Sequence, residues 1–199
     1  MDLPIYMDYQ STTPIDIRVL DAILPFYRSD FGNAASATHG FGKRAYQAVE
    51  AARAKIGHLI NAQDPEEIVF TSGTTESNNM ALKGIAAMYK EKGNHIITTS
   101  IEHKSVLEVC HFLERDGFQV TYLPVNAQGL ISLDELKRAI TPKTILISVM
   151  HANNEIGTIQ PIIQVGRIAK EHGIFFHSDL AQTAGKISVD VQAAGIDLA

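Results

Sequence analysis

Four short polar strings each directly follow an apolar, β-branched run. In Ser72-Gly73-Thr74-Thr75-Glu76-Ser77-Asn78-Asn79, Gly73 lets the backbone turn closely and the Thr74 and Thr75 hydroxyls can donate. The free amides of the helix that follows would converge there, making a phosphate cradle, although Gly-Thr-Thr is also a common capping loop. The string lacks G-x-G-x-x-G and the Walker lysine, which weighs against dinucleotides and nucleoside triphosphates. Ser100-Ile101-Glu102-His103-Lys104-Ser105 places an imidazole at a helix start, where it can stack on a planar ligand and move protons near neutral pH, or simply cap the helix. Met150-His151-Ala152-Asn153-Asn154-Glu155-Ile156-Gly157 offers two adjacent amides, which suit a polar ligand edge or an ordinary turn. His177-Ser178-Asp179-Leu180-Ala181-Gln182 puts a carboxylate and an amide after a wholly apolar run; that carboxylate is desolvated unless a cation or several donors meet it, and Asp as a turn cap is the alternative.

Together the strings supply a phosphate cradle, a stacking imidazole, an amide and a buried carboxylate. A phosphorylated heteroaromatic ring whose nitrogen must stay protonated would use all four, and pyridoxal 5'-phosphate is such a molecule.

The runs that must position these groups are Glu67–Thr71, His95–Thr99, Val120–Leu123, Thr144–Val149 and Ile174–His177, all predicted as buried strands. Helical spacing links Ala45, Val49, Ala52, Ile56, Leu59 and Ile60, and again Met80, Ile85 and Met88. Ser105–Arg115 reads as a helix stopped at Gly117, and Ser132-Leu133-Asp134-Glu135 as a capping box opening a helix to Ile140. Pro161 suits the first turn of another helix, closed by Gly173. Alternating strands and helices predict an α/β fold, mainly parallel, with helices on both faces and ligands at the C-terminal strand ends.

With 199 residues, 45% of them hydrophobic and 20% charged, the chain suits one large domain or slightly more, at roughly 150 residues per domain. The net charge of −5 comes with scattered bases, which argues against nucleic acid or an anionic membrane as partner. No apolar run reaches the about 18 residues of a membrane span, and Met1-Asp2-Leu3-Pro4 has no basic n-region, so a cytoplasmic location is expected. A single cysteine, Cys110, allows neither an internal disulfide nor a Cys-built zinc site. His103, His111, His151 and His177 include no pair at i, i+4 spacing, so no metal is expected.

The sequence resembles the cysteine desulfurases of the NifS/IscS-like group, within the class-V aminotransferases and the fold-type-I pyridoxal-phosphate enzymes. The likeness runs from Tyr6-Met7-Asp8-Tyr9-Gln10-Ser11-Thr12-Thr13-Pro14 through Phe31-Gly32-Asn33 and Thr38-His39 to Phe176-His177-Ser178-Asp179. Its most specific parts are Phe70–Asn79, Glu102-His103-Lys104 and Asn153-Asn154-Glu155-Ile156-Gly157. The resemblance implies a three-layer fold-type-I large domain over residues 16–199, incomplete at its C-terminus, preceded by a segment 1–15 belonging to the small domain or dimer arm. It implies that Thr74 and Thr75 hold the phosphate, and that His103 stacks on the ring and assists proton transfer. Asn154 and Gln182 would contact the phenolic oxygen side, and Asp179 would pair with the pyridinium nitrogen. The implied reaction converts L-cysteine to L-alanine and an enzyme persulfide, which supplies sulfur-acceptor proteins such as iron–sulfur scaffolds, and tRNA thiolation. The implied state is a homodimer.

The family's Schiff-base lysine, in a Ser-x-His-Lys motif, and its persulfide cysteine are expected beyond Ala199, where Gly195-Ile196-Asp197-Leu198 reads as the start of another strand. This chain is therefore expected to be an N-terminal portion, inactive alone and completed by a C-terminal part. Lys104 matches the stacking-histidine motif instead of the lysine motif, and Cys110 sits among Val109, Phe112 and Leu113 as a packed hydrophobe rather than a nucleophile. Ala34-Ala35-Ser36 departs from the family, which commonly has Pro after Gly-Asn. A non-catalytic or split-chain dimerising module, or another class-V enzyme such as a selenocysteine lyase, are the alternatives.

Overall fold

The β-branched run His95–Thr99 forms β1, and three more strands follow it in a computed structural model that describes residues 4–199; Met1-Asp2-Leu3 lie outside the described residues. These residues fall into two compact units, one up to His58 with Asp64–Ile68, the other Leu59–Gln63 with Val69–Ala199.

In the first unit α1 (Ile17–Arg28) is a helix for which the sequence carried no assignment. Asp16 caps it by accepting the Arg18 amide at 2.8 Å. Pro25 sits inside it, and none of its residues is buried. In α2 (Gly40–Ile60) the expected helix begins earlier than Ala45. Its first turn lies so close to the preceding loop that a Cβ on Gly42 would overlap the Ser36 carbonyl.

The second unit is a parallel sheet of β1, β2 (Gln119–Leu123), β3 (Thr144–Ser148) and β4 (Phe175–His177), in the order β2-β1-β3-β4. Alternation along the strands divides the core. Ile96 and Leu146 face α3 (Thr74–Tyr89) and α4 (Lys104–Arg115), packed with Leu82, Val106, Val109 and Cys110. Ile97, Ile147 and Phe176 face α5 (Leu133–Ala139), α6 (Ile162–His172) and α7 (Val191–Ala194), packed with Leu136, Val165 and Ala194. Helices thus cover both faces, as predicted. Ser132 caps α5 through the Glu135 amide at 3.3 Å, and Gly173 closes α6 in the left-handed conformation at φ 62°. Pro161 lies one position outside α6, at its N-cap.

One predicted strand does not form. Pro65–Glu67 is a 3-10 turn with Asp64 as its cap, and Ile68–Thr71 runs on without strand structure. Val69 and Phe70 are exposed at 62% and 48%. A β-branched run becomes a strand only where another strand takes up its backbone groups. Asp197 and Leu198, by contrast, do begin to pair with β4. The Asp197 amide donates to the Phe176 carbonyl at 2.8 Å, and the Ser178 amide donates to the Leu198 carbonyl at 3.0 Å.

Candidate functional site

All four strands run parallel, so the loops after β1, β3 and β4 emerge at one edge of the sheet, and α3 starts from its own loop nearby. Gly73, at φ 155° and ψ 176°, occupies a region essentially restricted to glycine, and it caps α3 without a side chain. The amides of Glu76 and Ser77 turn back to the Gly73 carbonyl at 3.0 and 3.1 Å. The loop is fastened from outside: Thr71 Oγ1 lies 2.8 Å from Ser77 Oγ, and Glu76 accepts from the Ser72 amide and hydroxyl at 2.7 and 2.6 Å. These Ser72 bonds hold the Glu76 carboxyl below its usual range. Thr74 and Thr75 are left exposed on the first turn, with helix-terminal amides that no side chain caps. That arrangement suits a phosphate.

His103 is the N-cap of α4, and its Nδ1 accepts the Ser105 amide at 3.2 Å. Ser105 Oγ lies 2.7 Å from the same nitrogen. Two residues beyond β4, Asp179 is 6% exposed; its Oδ1 accepts the Ala181 amide at 2.9 Å and its Oδ2 accepts Asn78 Nδ2 at 2.9 Å. The ion pairs found among the described residues do not include Asp179. A buried carboxylate with neutral donors such as these can accept a further bond from a cationic group such as a protonated ring nitrogen. The donor set therefore fits pyridoxal phosphate: cradle, half-buried imidazole and buried carboxylate.

Asn154 and Gln182 are half-buried in the loops after β3 and β4, and Gln182 Oε1 accepts from Lys186 Nζ at 3.0 Å. The adjacent Asn153 is a support for the loop: it donates to the Ile101 carbonyl at 2.9 Å and accepts from the amides of Glu155 and Ile156 at 2.9 and 3.0 Å. The same loop is tied to the one after β4, because the His151 amide donates to the Asp179 carbonyl at 3.0 Å and His151 Nδ1 lies 3.0 Å from Thr183 Oγ1.

Four further polar residues carry this edge without having been singled out for it in the sequence: Asn78, Ser105, Glu102 and His177. Glu102 Oε1 accepts from Thr99 Oγ1 and the Met150 amide, both at 2.8 Å, which joins the loops after β1 and β3. Complete burial pushes the Glu102 carboxyl up to about 8, against the pull of the Met150 amide and Thr99 hydroxyl, and the charge of Asp179 adds to the rise. His177 lies 2.8 Å from Ser148 Oγ, and burial pushes its imidazole down to about 4. The tertiary pairing, not the sequence spacing, gives these residues their part in the edge.

Lys104 is exposed on the first turn of α4 and shares an open groove of about 330 Å³ with Thr75, Asn79, Lys83, Ser105 and Glu108. Cys110 is fully buried against α3 and β1, and burial pushes its thiol up to about 12, which leaves almost no thiolate at neutral pH.

The class-V aminotransferase family profile matches residues 5–199. The cysteine desulfurase IscS of Rickettsia rickettsii (strain Iowa) is 56% identical over 199 residues, which is 100% of this chain and 48% of that protein. The IscS of Rickettsia felis is 56% identical over 198 residues, with 48% of that protein covered. The chain thus spans about half the length of the curated relatives it matches. Among solved structures, SspA in complex with cysteine superposes with a TM-score of 0.92 at 47% identity, covering 96% of this chain and 55% of SspA. A NifS-like protein superposes with a TM-score of 0.93 at 42% identity, covering 98% of this chain and 54% of that one.

Proposed function

Because this chain belongs to the class-V aminotransferase family, we propose that it forms the cofactor-binding N-terminal portion of a pyridoxal-phosphate-dependent cysteine desulfurase. The observation that most supports this is Asp179, a buried carboxylate that no cation neutralises among the described residues, hydrogen-bonded through Asn78 and Ser105 toward His103. The likeness to cysteine desulfurases over the whole chain supports the choice of reaction.

In this reading Thr74, Thr75 and the first-turn amides of α3 hold the phosphate. His103 stacks on one ring face and moves a proton at the substrate, Asn154 and Gln182 contact the phenolic oxygen side, and Asp179 holds the proton on the ring nitrogen. Pyridoxal phosphate supplies an electron sink for the pair released at the substrate α-carbon. Overall, L-cysteine loses its sulfur to a thiol outside these residues, giving L-alanine and a persulfide. The segment 1–15 as a dimer arm, the homodimer, the cytoplasmic location and delivery of sulfur to iron–sulfur scaffolds belong to the same proposal.

Replacing Asp179 by Asn tests it. Loss of a charge-assisted bond worth about 1.5–3 kcal/mol should weaken pyridoxal phosphate binding by roughly tenfold or more, as read by absorbance titration of the complete polypeptide. Unchanged affinity would remove Asp179 from the site.

A further inference from the structure

Asn78 and Ser105 make no contact that the proposed chemistry requires of them, yet they are 1% and 6% exposed and stand between Asp179 and His103. Asn78 Nδ2 donates to Asp179 Oδ2 and to Ser105 Oγ, both at 2.9 Å. Ser105 Oγ lies 2.7 Å from His103 Nδ1. The direction of every bond follows from the carboxylate end. An ionised carboxylate only accepts, so the Asn78 amide must turn its NH₂ toward Asp179, and the second hydrogen of that NH₂ goes to Ser105 Oγ. The Ser105 oxygen is then an acceptor from Asn78, and its own hydrogen points to His103 Nδ1. The Ser105 amide donates to the same nitrogen at 3.2 Å. With two donors aimed at Nδ1, the neutral imidazole carries its proton on Nε2.

We propose that Asn78 and Ser105 are positioning residues that fix the ring orientation and tautomer of His103 from the carboxylate of Asp179. The catalytic meaning of this rests on the reading of His103 and Asp179 given above; the hydrogen-bond chain itself does not. His103 is thereby held with an N–H at Nε2, and both donors aimed at its Nδ1 come from Ser105. The sequence spacing gives no hint of this coupling, because Asn78 lies 27 residues from Ser105 and 101 from Asp179.

The test is nitrogen NMR of the complete polypeptide, ¹⁵N-labelled at histidine and free of cofactor, with His103→Gln identifying the His103 resonances among the eight histidines. The wild type should show the Nε2–H tautomer. Ser105→Ala should displace the Nδ1 resonance, and Ser105→Thr, which keeps a hydroxyl, should restore it. Asn78→Ala should displace the same resonance although it does not touch His103, a response that loss of packing alone would not produce. An Nδ1–H tautomer in the wild type overturns the proposal. So does a Ser105→Ala spectrum with both ring nitrogens unmoved, which decides the matter even if Asn78→Ala fails to fold. Because no cofactor is needed, the Nε2–H pattern without pyridoxal phosphate binding would refute the functional reading alone, whereas tight binding with an Nδ1–H ring would refute this one alone.

Discussion

Glu102 and His177 are both completely buried near Asp179, and burial moves them in opposite directions. Glu102 keeps its proton up to about 8 in the folded chain against an ordinary 4.5, so the folded state holds more protons across that interval and stability falls as pH rises through it. His177 resists protonation down to about 4 against 6.5, so the unfolded state takes up protons first, and stability is lost as pH falls from 6.5 toward 4. The two slopes oppose each other between 4.5 and 6.5, and above 6.5 only that of Glu102 remains. The wild-type melting temperature should therefore decline from pH 6.5 to 8, by an amount on the order of 2 kcal/mol in stability. Glu102→Gln keeps an acceptor for Thr99 and Met150 but cannot ionise, so thermal melts of this variant should lose the decline; a decline equal to that of the wild type would place its source elsewhere.

Elements depend on contacts that a local pattern reports only in part. Leu136 is the fully buried residue by which α5 reaches the core shared by β1, β3 and α6, so Leu136→Ala should cost about 2–5 kcal/mol in denaturant unfolding. Gly166 is subtler: a Cβ there would overlap the Ala194 carbonyl, where α7 packs on α6. Gly166→Ala should improve local helix propensity yet destabilise the protein by about 1–3 kcal/mol, the usual cost of overpacking. A stabilised variant would mean that α7 shifts freely. The run Ile68–Thr71 makes the same point in reverse, since its residue types suit a strand yet it carries no strand structure.

At the scale of the whole molecule, the chain spans 48% of its IscS relatives, and the lysine and thiol that the proposed reaction requires are not assigned to any of these residues. The 199-residue chain alone should release no alanine from L-cysteine, checked by amino-acid analysis, and robust turnover would overturn that expectation. Intact mass spectrometry of the endogenous polypeptide separates two cases: a mass near twice 21.7 kDa means a longer desulfurase chain, and 21.7 kDa itself directs the search to a completing partner. By itself the sequence determined β1 to β4, most of the helices and the four polar strings, because strand and helix periods and glycine turns are written in neighbouring residues. It could not show that α1 is helical around Pro25, or that Ile68–Thr71 forms no strand. Nor could it show that Asn78, Ser105 and Glu102 bind the polar strings to one another. Those facts depend on parallel register and on side chains up to 101 positions apart, which meet only after the sheet has assembled.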